Sequence, residues 1–263
     1  SGKTEVASRA AFKAIDNGKQ VAVLVPTTVL AFQHFKTFSK RLNDFPVTLD
    51  YINRFRSNKE KKIIQSEIKN GKIDLLIGTH QIVNDNMTFK NLGLLIVDEE
   101  QKFGVNVKEK IRSMKENIDV LTLTATPIPR TLQYSLMSAR DLSIINTPPP
   151  NRFPIESSVI SFDEEIISDA INFELQRGGQ IFFIHNRIEN IPQMYSLISR
   201  IAPSADISIA HGKIEGKKLE KTMLDFIGGK FDILISTTIV ESGLDVTNAN
   251  TIFINDAQNF GLS

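Results

Sequence analysis

The chain has 263 residues, no cysteine and a formal net charge of +1. That length allows two domains of ordinary size or one large one, and the near-neutral balance neither demands nor forbids nucleic acid. Without cysteine, disulfides, cysteine-based zinc sites and a thiol nucleophile are excluded. No apolar run approaches the roughly 18–20 residues that span a bilayer, and the first residues lack a signal-peptide pattern, so a cytoplasmic location with no membrane partner is expected.

The chain opens on Gly2-Lys3-Thr4, after which Val6, Ala7, Ala10, Ala11, Ala14 and Ile15 recur at helical spacing, with Asn17-Gly18 as the stop. Val21 to Val25 reads as a buried strand ended by Pro26, followed by a helix carrying Leu30, Ala31, Phe35, Phe38 and Leu42 on one side. A strand near Val47–Ile52, a charged helix around Lys59–Lys69 and a strand at Ile73–Ile77 continue the rhythm, and Leu94–Val97 and Val120–Leu123 supply two more strands. Strands alternating with helices predict an α/β fold, a parallel sheet covered by helices on both faces.

Residues 147–154 contain four prolines and interrupt the alternation, as an extended and stiff connector would. Beyond it come a helix at Glu164–Gln176, a strand at Ile181–Ile184 and a mostly helical Ile188–Ile201 with Pro192 in its first turn. A strand at Ile207–Ala210, a helix at Glu215–Phe226 and strands at Ile233–Ile235 and Thr251–Ile254 follow. The expected organisation is two α/β domains of similar architecture, residues 1–147 and 155–263, joined by a linker at 148–154. No repeat is evident in the sequence itself.

Two segments carry chemistry. Gly-Lys-Thr opening a helix is the phosphate-gripping half of a P-loop: glycine lets backbone amides approach the phosphates, Lys3 places a charge on the β/γ oxygens, and Thr4 offers a hydroxyl to Mg²⁺. By itself it is equally a chance tripeptide, because the first glycine of the motif would precede residue 1. The second segment is the switch from Leu94-Leu95-Ile96-Val97 to Asp98-Glu99-Glu100-Gln101. At the exit of a buried strand, Asp98 can hold Mg²⁺ through water and Glu99 can orient or deprotonate an attacking water. A solvated acidic turn accounts for Glu100 but poorly for the abrupt change of character. Together the two segments point to a nucleoside triphosphatase.

Other strand exits are less specific. Thr124-Ala125-Thr126-Pro127 fits a capped turn before a helix as well as a relay of change at the phosphates. His80 and His211 each follow a strand and suit contact with a phosphate backbone or a structural role; metal ligation is disfavoured by the lack of paired ligands. Glu241 to Asp245 could bring an amide and a carboxylate to an interdomain cleft, or form an ordinary turn.

Taken in order, these segments resemble the motifs of superfamily 2 helicases. Gly2-Lys3-Thr4 resembles motif I, Val25-Pro26-Thr27-Thr28 motif Ia and Ile77-Gly78-Thr79-His80 motif Ib. Asp98-Glu99-Glu100-Gln101 resembles motif II, Thr124-Ala125-Thr126 motif III, Phe183 to Arg187 motif IV, and Thr237 to Asp245 motif V. Val97 to Val105 and Thr124 to Thr131 are further similar to the motors of the bacterial transcription-repair coupling factor family, as is Arg54-Phe55-Arg56-Ser57. The RecG fork-reversing helicases share Thr-Ala-Thr-Pro-Ile-Pro-Arg but have Asp-Glu-Gln-His in motif II, which makes fork reversal or branch migration the alternative reading.

The resemblance implies two tandem RecA-like domains that use ATP and Mg²⁺ to translocate on double-stranded DNA, displacing a stalled RNA polymerase and coupling transcription to excision repair. It implies that Gly2, Lys3 and Thr4 bind the triphosphate and Mg²⁺, that Asp98 and Glu99 coordinate Mg²⁺ and activate water, and that Gly243 and Asp245 close on nucleotide. Gln101, Thr124, Thr126 and Arg130 would couple hydrolysis to motion. Thr27, Thr79, His80, Asn186, Arg187, His211 and Thr237 would lie along the DNA backbone. RNA polymerase and the excision-repair protein would bind through regions absent from this chain. Ending at Ser263 before motif VI and its arginine fingers, worth on the order of 10³–10⁵ in rate, the fragment is expected to be poorly active alone.

Overall fold

A computed structural model describes residues 2–54, 56–84, 86–114, 117–125, 141, 143–147, 155–238 and 246–259. The chain divides into two compact units, Ser1–Pro154 and Ile155–Ser263. The proline-rich segment 148–154 lies outside the described residues.

In the first unit, α1 (Lys3–Asp16), β1 (Gln20–Leu24), α2 (Thr28–Leu42), β2 (Leu49–Ile52), α3 (Asn58–Lys69) and β3 (Leu75–Gly78) are followed by β4 (Leu92–Asp98), α4 (Val105–Met114) and β5 (Asp119–Leu123). The strands form one sheet in the order β2-β3-β1-β4-β5, and every pairing is parallel. All carboxyl ends therefore lie along one edge, where α/β sheets place their sites. β1 is buried throughout because its alternate side chains enter two different cores. Val21, Val23 and Val25 pack with Ala7 and Ala11 of α1 and Leu30, Ala31 and Phe38 of α2. Ala22 and Leu24 pack with Ile64 and Ile68 of α3 and Ile111 of α4.

Local chemistry sets the helix starts. Thr27 caps α2 by accepting the Leu30 N–H at 3.2 Å, and Ser57 and Glu60 form a reciprocal capping box at α3. α4 is not among the expected elements, and β2 starts at Leu49, two residues after the expected start near Val47.

The second unit contains α5 (Glu164–Gln176), β6 (Gln180–Ile184), α6 (Ile191–Ile201), β7 (Ile207–Ala210), α7 (Gly216–Ile227), β8 (Ile233–Ser236) and β9 (Ala249–Ile254). Its sheet runs β7-β8-β6-β9, again wholly parallel. Ile181 and Phe183 join Ile167, Ile171 and Ile198 in one core, while Phe182 meets Phe226 with ring centroids 4.9 Å apart. The predicted helix from Ile188 is instead a 3₁₀ turn at Ile188–Asn190 followed by α6, whose first turn holds Pro192.

The two units repeat each other in detail, which the sequence reading did not detect. Gln20 begins β1 and donates from Nε2 to the carbonyls of Ile68 and Ile73 at 2.9 and 2.8 Å; Gln180 begins β6 and donates in the same way to Phe226 and Phe231, both at 2.7 Å. Gly71 to Thr79 reads GKIDLLIGT and Gly229 to Thr237 reads GKFDILIST. Both glycines are left-handed, at φ +73° and +76°. Asp74 accepts the Thr48 N–H and Asp232 the Asp206 N–H, each at 2.8 Å. Finally, β4 and β9 pair in matching register with β1 and β6. Each is followed closely by a left-handed acid, Glu99 at φ 52° and Asp256 at φ 54°, and then by a 3₁₀ turn.

In the first unit the Gln20 Oε1 also accepts the N–H groups of Lys90 and Asn91, at 2.8 and 2.9 Å. Gln20→Leu keeps the volume but removes this partner from four backbone groups, of which the Ile68 carbonyl still accepts the Gly71 N–H at 3.1 Å. Because a buried group left unpaired costs about 1–3 kcal/mol, we expect a loss of about 3 kcal/mol or more in the first unit's stability, read by urea denaturation. No helix of the described residues is long and apolar enough to cross a membrane.

Candidate active site

β4 lies between β1 and β5 and delivers Asp98 and Glu99 to the carboxyl edge of the sheet, each 8% exposed. The strand is apolar up to Val97 because it is covered on both faces, so the acids begin where the cover ends. Glu99 donates its N–H to the Leu123 carbonyl of β5 at 2.9 Å while adopting φ 52°, ψ 50°. A left-handed non-glycine residue costs about 1–3 kcal/mol and is typical of functional sites. It turns the chain sharply into the 3₁₀ turn Glu100–Lys102.

Lys3, the first residue of α1, donates from Nζ to Glu99 Oε1 at 2.7 Å and stands 4.0 Å from Asp98 Oδ1. Its side chain is 20% exposed and those of the two acids 11%. Gly2 precedes α1 without a side-chain cap. The unpaired first-turn amides and the positive end of the helix are thus directed at the place where an anion would sit. Gln101 Nε2 donates to Glu99 Oε2, and Thr124 Oγ1, just past β5, donates to Gln101 Oε1 at 3.2 Å. Lys3, Asp98, Glu99, Gln101 and Thr124 therefore form one connected cluster, with Thr4 half-buried beside Lys3 in the first turn of α1.

Sequence reasoning missed His34 of α2. Its Nε2 donates to Asp98 Oδ2 at 2.9 Å, a carboxylate oxygen being able only to accept. The available signal was position: His34 lies four residues from both Leu30 and Phe38, on the apolar side of α2, where an imidazole needs a polar partner. With Oδ2 so engaged, Asp98 Oδ1 is buried and has no hydrogen-bond partner among the described residues. A carboxylate oxygen left in that state beside a lysine and a helix N-terminus suits a hard cation such as Mg²⁺. Among the described residues no group of three or more His, Cys, Asp or Glu could hold a metal; Mg²⁺ is characteristically held by one or two carboxylates with phosphate oxygens and water.

The residues expected along nucleic acid are distributed over the carboxyl edges of the two sheets. Thr27 follows β1, with its hydroxyl oxygen engaged in capping α2. Thr79 follows β3 and is only 5% exposed, whereas His80 beside it is exposed. In the second unit Asn186 and Arg187 are exposed beyond β6, and Asn186 Oδ1 accepts the Thr238 N–H at 3.3 Å. His211 and Thr237, after β7 and β8, are half-buried. Thr126, Arg130, Gly243 and Asp245 lie outside the described residues.

His185, between Ile184 and Asn186, is 3% exposed; Asn255 Nδ2 donates to its Nδ1 at 2.9 Å, and its Nε2 is buried without a hydrogen-bond partner among the described residues. Burial pushes this imidazole below its ordinary 6.5; the Asp256 carboxylate opposes that shift and Arg187 adds to it. As pH falls below 6.5 the unfolded chain takes up this proton before the folded one does. Stability therefore declines between 6.5 and the lower folded value and changes no further below both. Denaturation curves on either side of pH 6.5 should show that decline, and His185→Gln should flatten it.

The DEAD/DEAH box helicase family model matches residues 1–134, and the helicase conserved C-terminal domain model matches residues 163–261. The transcription-repair-coupling factors of Staphylococcus haemolyticus and Bacillus subtilis are 53% and 52% identical over 262 residues, covering all of this chain and 22% of theirs. The chain thus spans about a fifth of the length of those relatives. RecG bound to a three-way DNA junction superimposes with a TM-score of 0.76 at 33% identity, over 96% of this chain and 34% of RecG. S. cerevisiae Dbp5 bound to RNA and ADP BeF3, at 16% identity and a TM-score of 0.62, covers 95% of this chain and 66% of its own and shares the fold.

Proposed function

This chain belongs to the DEAD/DEAH box helicase family, and we propose that it is the ATP-driven motor core of a double-stranded DNA translocase of the transcription-repair coupling kind. The observation that carries the reading is the convergence of Lys3, Asp98 and Glu99 at one strand end, with Lys3 Nζ 2.7 Å from Glu99 and 4.0 Å from Asp98. The identities of 52–53% to coupling factors favour that branch over RecG-like fork reversal, for which the 33% identity of RecG is the support.

In this mechanism the α1 N-terminus, with Gly2, Lys3 and Thr4, receives the triphosphate. Lys3 pairs with Glu99; triphosphate oxygens would compete for the ammonium and release Glu99 Oε1 to accept a proton from the attacking water. Mg²⁺, when bound, neutralises charge that develops on the phosphates, and Asp98 through Oδ1 and Thr4 through its hydroxyl are the residues that would hold it. Gln101 fixes the other oxygen of Glu99 and is itself held by Thr124. The orientation of Glu99 therefore follows the segment leaving β5, the route by which hydrolysis would be coupled to motion. Thr27, Thr79, His80, Asn186, Arg187, His211 and Thr237 are assigned to the DNA backbone on resemblance and on their place at strand exits. Displacement of RNA polymerase and recruitment of excision repair belong, on this reading, to the longer protein.

DNA-stimulated phosphate release by the natural full-length protein tests the proposal, with these residue numbers retained. Lys3→Ala should abolish turnover and weaken nucleotide binding. Glu99→Gln should lower turnover by about 10²–10⁴-fold and still bind ATP. Turnover unchanged in either variant overturns the reading. Because a translocase holds phosphates, duplex affinity should fall steeply with salt and vary little with sequence; marked preference for one duplex sequence in a binding titration would count against a motor.

A further inference from the structure

His34 contacts the site from outside every segment that the motif resemblance covers. It is held on α2, 7% exposed, with its ring set edge-on to the fully buried Phe38 at a centroid distance of 6.1 Å. We propose that His34 is a positioning residue for the cation-holding carboxylate, donating from Nε2 to Asp98 Oδ2 and so reserving Oδ1 for the ion. The proposal rests on the reading of Lys3, Asp98 and Glu99 given above.

The terminal torsion of an aspartate is broad, so the plane of the carboxylate can turn at little cost. An unrestrained Asp98 would be drawn to the ammonium of Lys3, which already stands 4.0 Å from Oδ1. A direct ion pair there would occupy the lone pairs that a cation needs. The His34 bond of 2.9 Å, between side chains only 8% and 11% exposed, opposes that rotation. Charge-assisted hydrogen bonds are short and about twice as strong as neutral ones, and Phe38 keeps the imidazole from turning away. Asp98 Oδ2 is thereby satisfied, and Oδ1 is left buried without a hydrogen-bond partner among the described residues. The constraint spans 64 residues of sequence and ties α2 to β4.

The outer partners of ligating carboxylates typically contribute about 10–100-fold in metal affinity. In the full-length protein, binding of Mn²⁺ together with ADP, followed by the electron paramagnetic resonance of free Mn²⁺, reads this directly without turnover. His34→Phe keeps the ring and the contact with Phe38 but has no donor; it should weaken Mn²⁺ binding by about 10–100-fold while leaving metal-free ADP affinity unchanged. His34→Gln, whose amide can donate to Asp98, should recover most of the loss. Should His34→Phe not fold, His34→Asn, polar but one methylene too short, takes its place. Parental Mn²⁺ affinity in the donor-free variant, or equal weakening in it and in His34→Gln, overturns the proposal. Asp98→Asn separates the two levels: if it too binds Mn²⁺ like the parent, the nucleotide-site reading itself is wrong, whereas weak binding there beside normal binding in His34→Phe removes only the role of His34.

Discussion

A strand buried on both faces that ends in two adjacent carboxylates folds only if each negative charge is met at close range. Lys3 meets Glu99, His34 meets one oxygen of Asp98, and Gln101 meets the second oxygen of Glu99. These partners come from three different elements: the start of α1, the middle of α2 and the turn after β4. The demand created at one strand end therefore determines how the helices around it must be placed. Within its pair Lys3 is the more accessible member, its side chain 20% exposed against 11% for Glu99, and its ammonium is open to competition from an anion at the α1 N-terminus.

The backbone contributes as much as the side chains. Were Glu99 to continue the strand, its side chain would point to the opposite face of the sheet from Asp98. The left-handed turn at Glu99, held by its bond to Leu123, sets both acids toward the one ammonium. That conformation is costly for a glutamate and is retained because the strand pairing with β5 enforces it.

Much of this architecture was legible beforehand, and the limits have physical causes. The central strands announced themselves through apolar runs, and the abrupt acids after Val97 marked the site. His34 did not, because its partner lies 64 residues away and the helical stripe in which it sits reads as core. α4 escaped notice because its apolar face is thin: Ile111 is its one buried residue and Val105 is 70% exposed. Gln20 and Gln180 looked like polar flanks of apolar strands, since the carbonyls they satisfy belong to distant turns. The repeat between the units was hidden for the same reason, its clearest stretch being a helix-to-strand turn that carries no chemistry of its own.

Agreement between the units extends to a left-handed acid after the fourth strand of each sheet, but the two corners differ in charge. The residue preceding the left-handed acid is Asp98 in one lobe and Asn255 in the other. An amide supplies no negative charge, so the second unit keeps the shape of the Asp98-Glu99 corner but only one of its two acids. Its imidazole neighbour, His185, now receives a hydrogen bond from that amide where His34 gives one to a carboxylate. The same scaffold has thus been left with one ionic corner and one largely neutral counterpart.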